Sequence, residues 1–273
     1  RAVSDQAENQ FVSSQFALQT FTVRKHLKSP AAIESGFARI REAGIRAVEL
    51  AYIKLAPAEI DAVERACKNH GIRVGSSQIT FDILHKKRDW VVRLHEQLDC
   101  RISSVSVLPF RVIRGGPEPL LRFAGELESL GAWYRERGIQ LCFHHHDFEF
   151  RHYGDEVGLD LLLRNTTPEN VGLELDTYWV ARGGRSPRDL INDLDGRVRV
   201  VHLRDFRLRW KNLRLQPIDC ELGKGNLDFA RIIDSCCDQN VAFMAIEQAT
   251  STPFRSVAIS VAHLQKLGYA SLF

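Results

Sequence analysis

A chain of 273 residues with 44% hydrophobic content is long enough for one large core or two ordinary domains. Its 37 lysines and arginines against 34 aspartates and glutamates give a formal charge of +3 with both signs scattered, which marks neither a nucleic-acid nor a membrane surface. No apolar run reaches the roughly 18 residues that a membrane-spanning helix needs. The composition therefore describes a soluble globular protein with no nucleic-acid and no membrane partner, expected in the cytoplasm and compatible with a homo-oligomer. Because the sequence starts with Arg1 rather than Met, a removed export signal and a periplasmic or exported location stay open. The six cysteines, Cys67, Cys100, Cys142, Cys220, Cys236 and Cys237, lack CxxC spacing and two are adjacent. They read as reduced, mostly buried thiols rather than a zinc knuckle or a disulfide framework.

Residues 1–14 are polar and without periodicity, so a loosely ordered or disordered tail is expected there, with a single domain over 15–273. From Gln15 onward, short apolar runs alternate with longer charged segments whose apolar residues recur at helical spacing. Strands are predicted at 15–21, 46–50, 72–77, 102–108, 139–144, 171–176, 198–203 and 241–247. Helices are predicted between and after them, at 31–43, 57–69, 86–98, 117–137, 155–164, 186–194, 227–239 and 253–267. Ser29-Pro30, Ser186-Pro187 and Thr252-Pro253 supply helix starts, and glycines at 44, 71, 138 and 268 supply stops. Eight strand and helix pairs in strict alternation, with no long linker, predict an α/β fold: a single (β/α)8 TIM barrel with its active site at the C-terminal ends of the strands.

The chemistry is therefore sought at those ends. The tips carry Thr22 and Arg24, then Glu49, then Gln78, while the fourth strand ends in Pro109 and is expected to contribute little. The fifth carries GIQLCFHHHDFEF (138–150), an apolar run that delivers His144, His146 and Glu149. The last three bring Glu174 and Asp176, then His202, Arg204 and Asp205, then Glu247 and Gln248. Alternation lets His144 and His146 face one way and turns His145 toward the helical layer. Imidazoles and carboxylates without thiolate suit one divalent ion, Mn²⁺, Co²⁺, Mg²⁺ or Zn²⁺, with positions left for substrate oxygens. Such an ion would polarise a carbonyl and stabilise the enediolate formed when a neighbouring base removes the adjacent proton, which is isomerase, epimerase or lyase chemistry.

The segments FALQTFTVR, AGIRAVELA, GIQLCFHHHDFEF, VGLELDTYWVARGG, GRVRVVHLRDF and LGKGNLDF, with the IEQ of the last strand, occur in order. Together they make the chain resemble the sugar phosphate isomerase/epimerase-like members of the xylose-isomerase-like TIM barrel superfamily. The resemblance implies a metal on Asp176, His202 and Glu247, with Glu149 or His144 as the ligand from the fifth strand. If Glu149 and Glu247 both ligate, two glutamates can shuttle a proton in an epimerisation. If His144 ligates, one-base isomerisation or β-elimination follows, as in the 3-keto-glycoside lyases and hydratases that the subgroup also resembles. Proton transfer is thus assigned to Glu149, Glu247, His144 and His146, and binding of a carbohydrate or keto-sugar to Arg24, Glu49, Trp179 and Arg204. His145, Arg204, Lys224 and Ala249 depart from the family pattern, which puts the substrate in doubt rather than the ligands.

Plainer readings stand beside these. Asp176 and Glu174 could pair with Arg182 or Arg204, Glu174 being placed in support of the site. His202 alone would be a satisfied core residue, and Trp179 and Phe206 could be packing. The GKGN segment lacks the phosphate-loop pattern and reads as a turn into the next helix. Two remote functions complete the set: an apurinic-site endonuclease-like hydrolase, and a sugar-binding protein without activity.

Overall fold

Eight parallel strands close on themselves within residues 15–273, the part of the chain that the computed structural model describes. The expected tail at 1–14 lies outside the described residues. The strands are β1 (Phe16–Gln19), β2 (Ala47–Leu50), β3 (Arg73–Ile79), β4 (Ile102–Val105), β5 (Gln140–His144), β6 (Val171–Asp176), β7 (Val198–Leu203) and β8 (Phe243–Ile246). Each pairs with the next, and β8 pairs with β1, so the sheet is a closed (β/α)8 barrel, as the alternation predicts.

Alternation sorts the side chains of each strand. Ile139, Leu141 and Phe143 of β5 and its approach, with Leu173 and Leu175 of β6, join the core beneath the helices, and each such side chain gains about 1.5–3 kcal/mol from full burial. The inward residues are small at the bottom: Ala17, Ala47, Cys142 and Ala245 meet Val200 and Phe243 inside the barrel. A Cβ on Gly172 would come within 2.7 Å of Arg199 and 2.9 Å of the Cys142 thiol, so this inward position admits only glycine without a shift. Toward the C-terminal end the interior turns polar, with Glu49, Ser76, Ser104, Glu174 and His202 all buried.

Two strands break the alternation. The register of β3 against β2 slips between Val48 and Glu49, and that of β7 against β6 between Leu173 and Glu174. An extra residue there leaves Val198 outside yet brings His202, four residues on, inside and level with Asp176.

Helix starts follow the sequence signals. The Ser29 and Ser186 hydroxyls accept the N–H groups of Ala32 and Asp189, each ahead of a proline, whereas Thr252 makes no such bond. The predicted helix at 86–98 is two, Phe81–Lys86 and Arg88–Gln97, broken at Lys87. Tyr134 ties the first of them down by donating its hydroxyl to the Leu84 carbonyl at 2.8 Å.

Among the features outside the predicted elements, two follow the strands that carry the site. A short helix, Thr177–Arg182, follows β6 directly, and an antiparallel hairpin, Asp205–Lys211 with Arg214–Cys220, follows β7. All six cysteines are free. No helix among the described residues is long and apolar enough to cross a membrane.

Candidate active site

The C-terminal end of the barrel opens into a cavity of about 570 Å³. Its chemical character is fixed by residues on the β5 to β8 side and beneath it.

Asp176 is the last residue of β6 and the N-cap of the short helix. Its Oδ1 accepts the N–H groups of Tyr178 at 2.8 Å and Trp179 at 3.0 Å. Capping fixes the carboxylate plane and leaves Oδ2 buried with no hydrogen-bond partner. Burial pushes this carboxyl up to about 7, with Arg204 acting against the rise.

His202, inward on β7, lies between two carboxylate pairs. On one side Nε2 is 2.7 Å from Glu49 Oε1 and 3.1 Å from Glu174 Oε1. On the other, Nδ1 is 3.0 Å from Glu247 Oε2 and 3.9 Å from Asp176 Oδ2, without hydrogen-bond alignment to either. Burial disfavours the charged ring, but Glu49 and Glu174 outweigh it and hold its proton well above the usual imidazole range. The metal-free ring therefore carries hydrogen on both nitrogens, Nε2 toward Glu49 and Glu174 and Nδ1 toward Asp176 and Glu247, and a metal ion on the latter side would take the place of the Nδ1 proton.

Among the described residues, two groups of side chains could therefore hold a metal ion: Asp176, His202 and Glu247, and His144, Glu174 and His202. They share one imidazole through its opposite nitrogens. The second group is already engaged, because Glu174 accepts from Gln78 and Ser104 while Glu49 occupies His202 Nε2. The first keeps Asp176 Oδ2 and His202 Nδ1 unpartnered, and Glu247 reaches the cavity. Buried polar atoms left without partners cost roughly 1–3 kcal/mol each, so the first group, with two such atoms, fits a divalent ion better than the second, where His144 Nδ1 is the one atom left without a hydrogen bond.

Each expected site residue has a definite place. His144, His146, Trp179, Arg204 and Glu247 line the cavity. His146 stacks on Phe148 and lies 5.4 Å from Trp179, ring to ring, with its Nδ1 unpartnered. His145 turns outward: its Nε2 accepts the Asp176 N–H at 3.2 Å, and its ring faces Phe150. Arg204 makes two bonds of 3.2 Å to Asp219 of the hairpin and lies 3.5 Å from Glu247.

Three other candidates stand away from the cavity wall. Glu149 sits in a single turn, Phe148–Phe150, and bends back to accept the His146 backbone N–H at 2.8 Å. It belongs to neither metal-capable group, and burial pushes its carboxyl up to about 8. Glu49 lies under the floor, where it takes the hydroxyl of Ser76 at 2.6 Å and the His202 ring. Arg24 donates to the Phe21 carbonyl at 2.7 Å and covers a face of the Phe21 ring.

The expectation that strand 4 contributes little needs correction. Ser104 supports Glu174, and Ser106 and Val107 line the cavity, because the chain continues along the mouth before it turns at Pro109. Gln78, expected only as a tip residue, also lines the cavity and donates to Glu174. The GKGN segment is a turn: Asp205 accepts the N–H groups of Phe206, Gly223, Gly225 and Leu227 and so uses up donors that a phosphate would require.

The same fold recurs in known proteins. A curated inosose dehydratase of Lacticaseibacillus casei is 34% identical over 86 residues, which make up 32% of this chain and 28% of that protein, so the likeness spans less than a third of the relative's length. A sugar phosphate isomerase/epimerase from Parabacteroides distasonis superposes with a TM-score of 0.76 at 18% identity, over 98% of this chain and 99% of that one. A xylose isomerase-like TIM barrel protein from Mycobacterium smegmatis, solved in complex with magnesium, superposes with a TM-score of 0.71 at 13% identity, over 95% and 98%. These structural likenesses show the fold. Residues 37–241 match the family model described as xylose isomerase-like TIM barrel, and the chain belongs to that family.

Proposed function

We propose that the chain is a divalent-metal-dependent enzyme that removes the proton beside a carbonyl of a sugar or cyclic keto-polyol. The observation that carries this reading is the group Asp176, His202 and Glu247, with Asp176 Oδ2 and His202 Nδ1 buried without hydrogen bonds behind Glu247, which lines the cavity. Two carboxylates and an imidazole suit Mn²⁺, Mg²⁺, Co²⁺ or Zn²⁺. Such an ion would polarise a substrate carbonyl and acidify the neighbouring C–H.

Glu247 is the base. Burial works against its ionised form, but the His202 ring and the Arg204 guanidinium hold its carboxyl below the ordinary range, ready to accept a proton. His146 and His144 stand in the same cavity as neutral rings, their protons disfavoured chiefly by burial. They can hydrogen-bond substrate hydroxyls and pass a proton on.

The outcome favoured by this arrangement is β-elimination of water. An epimerase that shuttles a proton between two glutamates would use Glu149 as the second, and Glu149 is turned to the His146 backbone. One carboxylate with imidazoles beside it is a set for taking a proton and assisting a departing hydroxyl. The partial likeness to an inosose dehydratase supports the same outcome. Isomerisation or epimerisation is the second reading, because His144 and His146 come from a different strand than Glu247 and offer a second base.

The test is incubation of the Mn²⁺-loaded protein with an inosose, and separately with D-fructose, in D2O. Loss of water with formation of an unsaturated ketone is expected from the inosose. Deuterium uptake without loss of water would instead support the second reading. Asp176→Asn keeps a helix cap and is expected to lose the metal. A wild-type metal content no higher than that of this variant would overturn the enzyme reading.

A further inference from the structure

We infer that the substrate carries, besides its carbonyl-bearing polar end, a flat apolar group, and that it bears no phosphate. This rests on the proposed function, which places the polar end at Asp176, His202 and Glu247.

The two sides of the mouth differ in kind. Opposite Glu247 and the imidazoles, the wall supplied by β1 to β4 and their loops is largely apolar, with Phe21, Tyr52, Leu55, Ile79, Ile83 and Val107 outnumbering the polar Gln19, Gln78, Thr80 and Ser106. Hydroxyls of a second sugar ring laid on the apolar part of that wall would be desolvated unpaired, which is unfavourable. A planar apolar group loses nothing on entering and gains contact with the Phe21 and Tyr52 rings, which meet edge to face at 4.9 Å.

Tyr52 is the telling residue. It is 68% exposed, and its backbone has φ 59°, the left-handed region that an aromatic residue seldom adopts. An exposed aromatic side chain held in a strained conformation at a cavity rim packs no core. Such strain persists at binding sites, where the surrounding structure enforces it. The wall also continues beyond the cavity: Leu55 and Ile83 border a groove of about 230 Å³ that reaches Trp90, and Val107 borders another of about 300 Å³ that reaches Phe110. This is more room than a single sugar ring fills.

A phosphate would have no free cation to meet at the polar end. Among the described residues that line the cavity, Arg204 is the one lysine or arginine. It is held by Asp219 and faces Glu247 at 3.5 Å and Asp176 at 3.9 Å. Lys87 lies in the outer groove beside Trp90.

The experiment is calorimetric titration of the Mn²⁺-loaded full chain with methyl β-D-glucopyranoside, phenyl β-D-glucopyranoside and glucose 6-phosphate. The phenyl glycoside is expected to bind at least about tenfold more tightly than the methyl glycoside, and the phosphate no more tightly than the methyl glycoside. Tyr52→Gly, which relieves the positive φ, and Val107→Asp are each expected to remove most of that preference while leaving Mn²⁺ content unchanged. Equal binding of the two glycosides, no binding of either, tightest binding of the phosphate, or a preference that survives in both variants would overturn the inference. Mn²⁺ content and deuterium exchange with D-fructose, measured on the same preparations, separate the two readings. Metal and exchange without phenyl preference sink the substrate class alone, whereas absence of bound Mn²⁺ sinks the enzyme reading.

Discussion

The barrel interior beneath the mouth and the mouth above β5 to β8 hold similar polar groups in different states. Below, Glu49 is matched by Ser76 and His202, and Glu174 by Gln78 and Ser104. Above, Asp176 Oδ2, His202 Nδ1, His144 Nδ1 and His146 Nδ1 are buried without a hydrogen bond, although His202 Nδ1 lies 3.0 Å from Glu247 and His144 Nδ1 3.4 Å from Glu174. A fold does not leave several such atoms idle without loss of stability, so the contrast separates the groups that support from the groups that act. It also explains how one imidazole serves both: Nε2 belongs to the satisfied layer and Nδ1 to the open one.

The largest effect is expected at the open layer. Glu247→Gln should lower deuterium exchange into a turned-over substrate by roughly 10²- to 10⁴-fold, the range for losing a positioned base. Exchange at the wild-type rate would remove Glu247 as the base.

The next prediction concerns a satisfied histidine. Buried His95 holds Ser77 at 2.9 Å through Nε2 and the Cys100 carbonyl at 3.0 Å through Nδ1, and burial pushes it down to about 4. Its folded pKa lies below the unfolded value of about 6.5, so the unfolded chain binds the extra proton. Stability is full above about pH 6.5 and falls as pH drops toward 4, by about 2–3 kcal/mol at pH 4.5 from this residue. Urea midpoints at pH 7 and 4.5 should show a smaller loss for His95→Gln than for wild type. An equal loss would assign acid sensitivity elsewhere.

Glu49 tests how far support reaches. Glu49→Gln should keep the fold and weaken Mn²⁺ binding about 10- to 100-fold, the usual effect of removing a group that orients a ligating histidine. Unchanged affinity would mean that Glu174 alone orients His202.

The smallest effect is expected at Glu149, whose carboxyl at about 8 is already neutral at pH 7. Glu149→Gln should leave bound metal unchanged, and the variant should gain stability over wild type as pH rises from the unfolded pKa of about 4.5 to 8. Loss of metal in this variant, with His144→Ala retaining it, would restore Glu149 as the strand 5 ligand.

Much of the site is legible in the sequence because strands obey parity. The strand at 139–144 alternates cleanly, so counting by twos along it sets His144 and His146 on one face and His145 on the other. Parity misleads in β7, where Val198 and His202 share a face by count and the slip between Leu173 and Glu174 separates them. The turn that folds Glu149 back on the His146 amide is too local to show in a hydrophobic pattern. The hairpin after β7 does leave a signal, since Phe206, Leu208 and Trp210 alternate with Arg207 and Arg209. Its turn holds Asn212 and Leu213 at φ 49° and 59°, and leucine where glycine is the rule hides it. No composition rule foretells that Gln78 and Ser104 converge on Glu174, because each pairing bridges distant stretches of chain.

Asp176 divides its two oxygens between different duties, and the division couples them. Oδ1 anchors the first turn of the helix that carries Trp179, while Oδ2 points toward His202 and Arg204. A pull on Oδ2 therefore turns a lever whose far arm is an indole at the cavity rim. Binding at Oδ2 is therefore expected to register at Trp179, and a change in tryptophan fluorescence on adding Mn²⁺ that is absent in Trp179→Phe would show it.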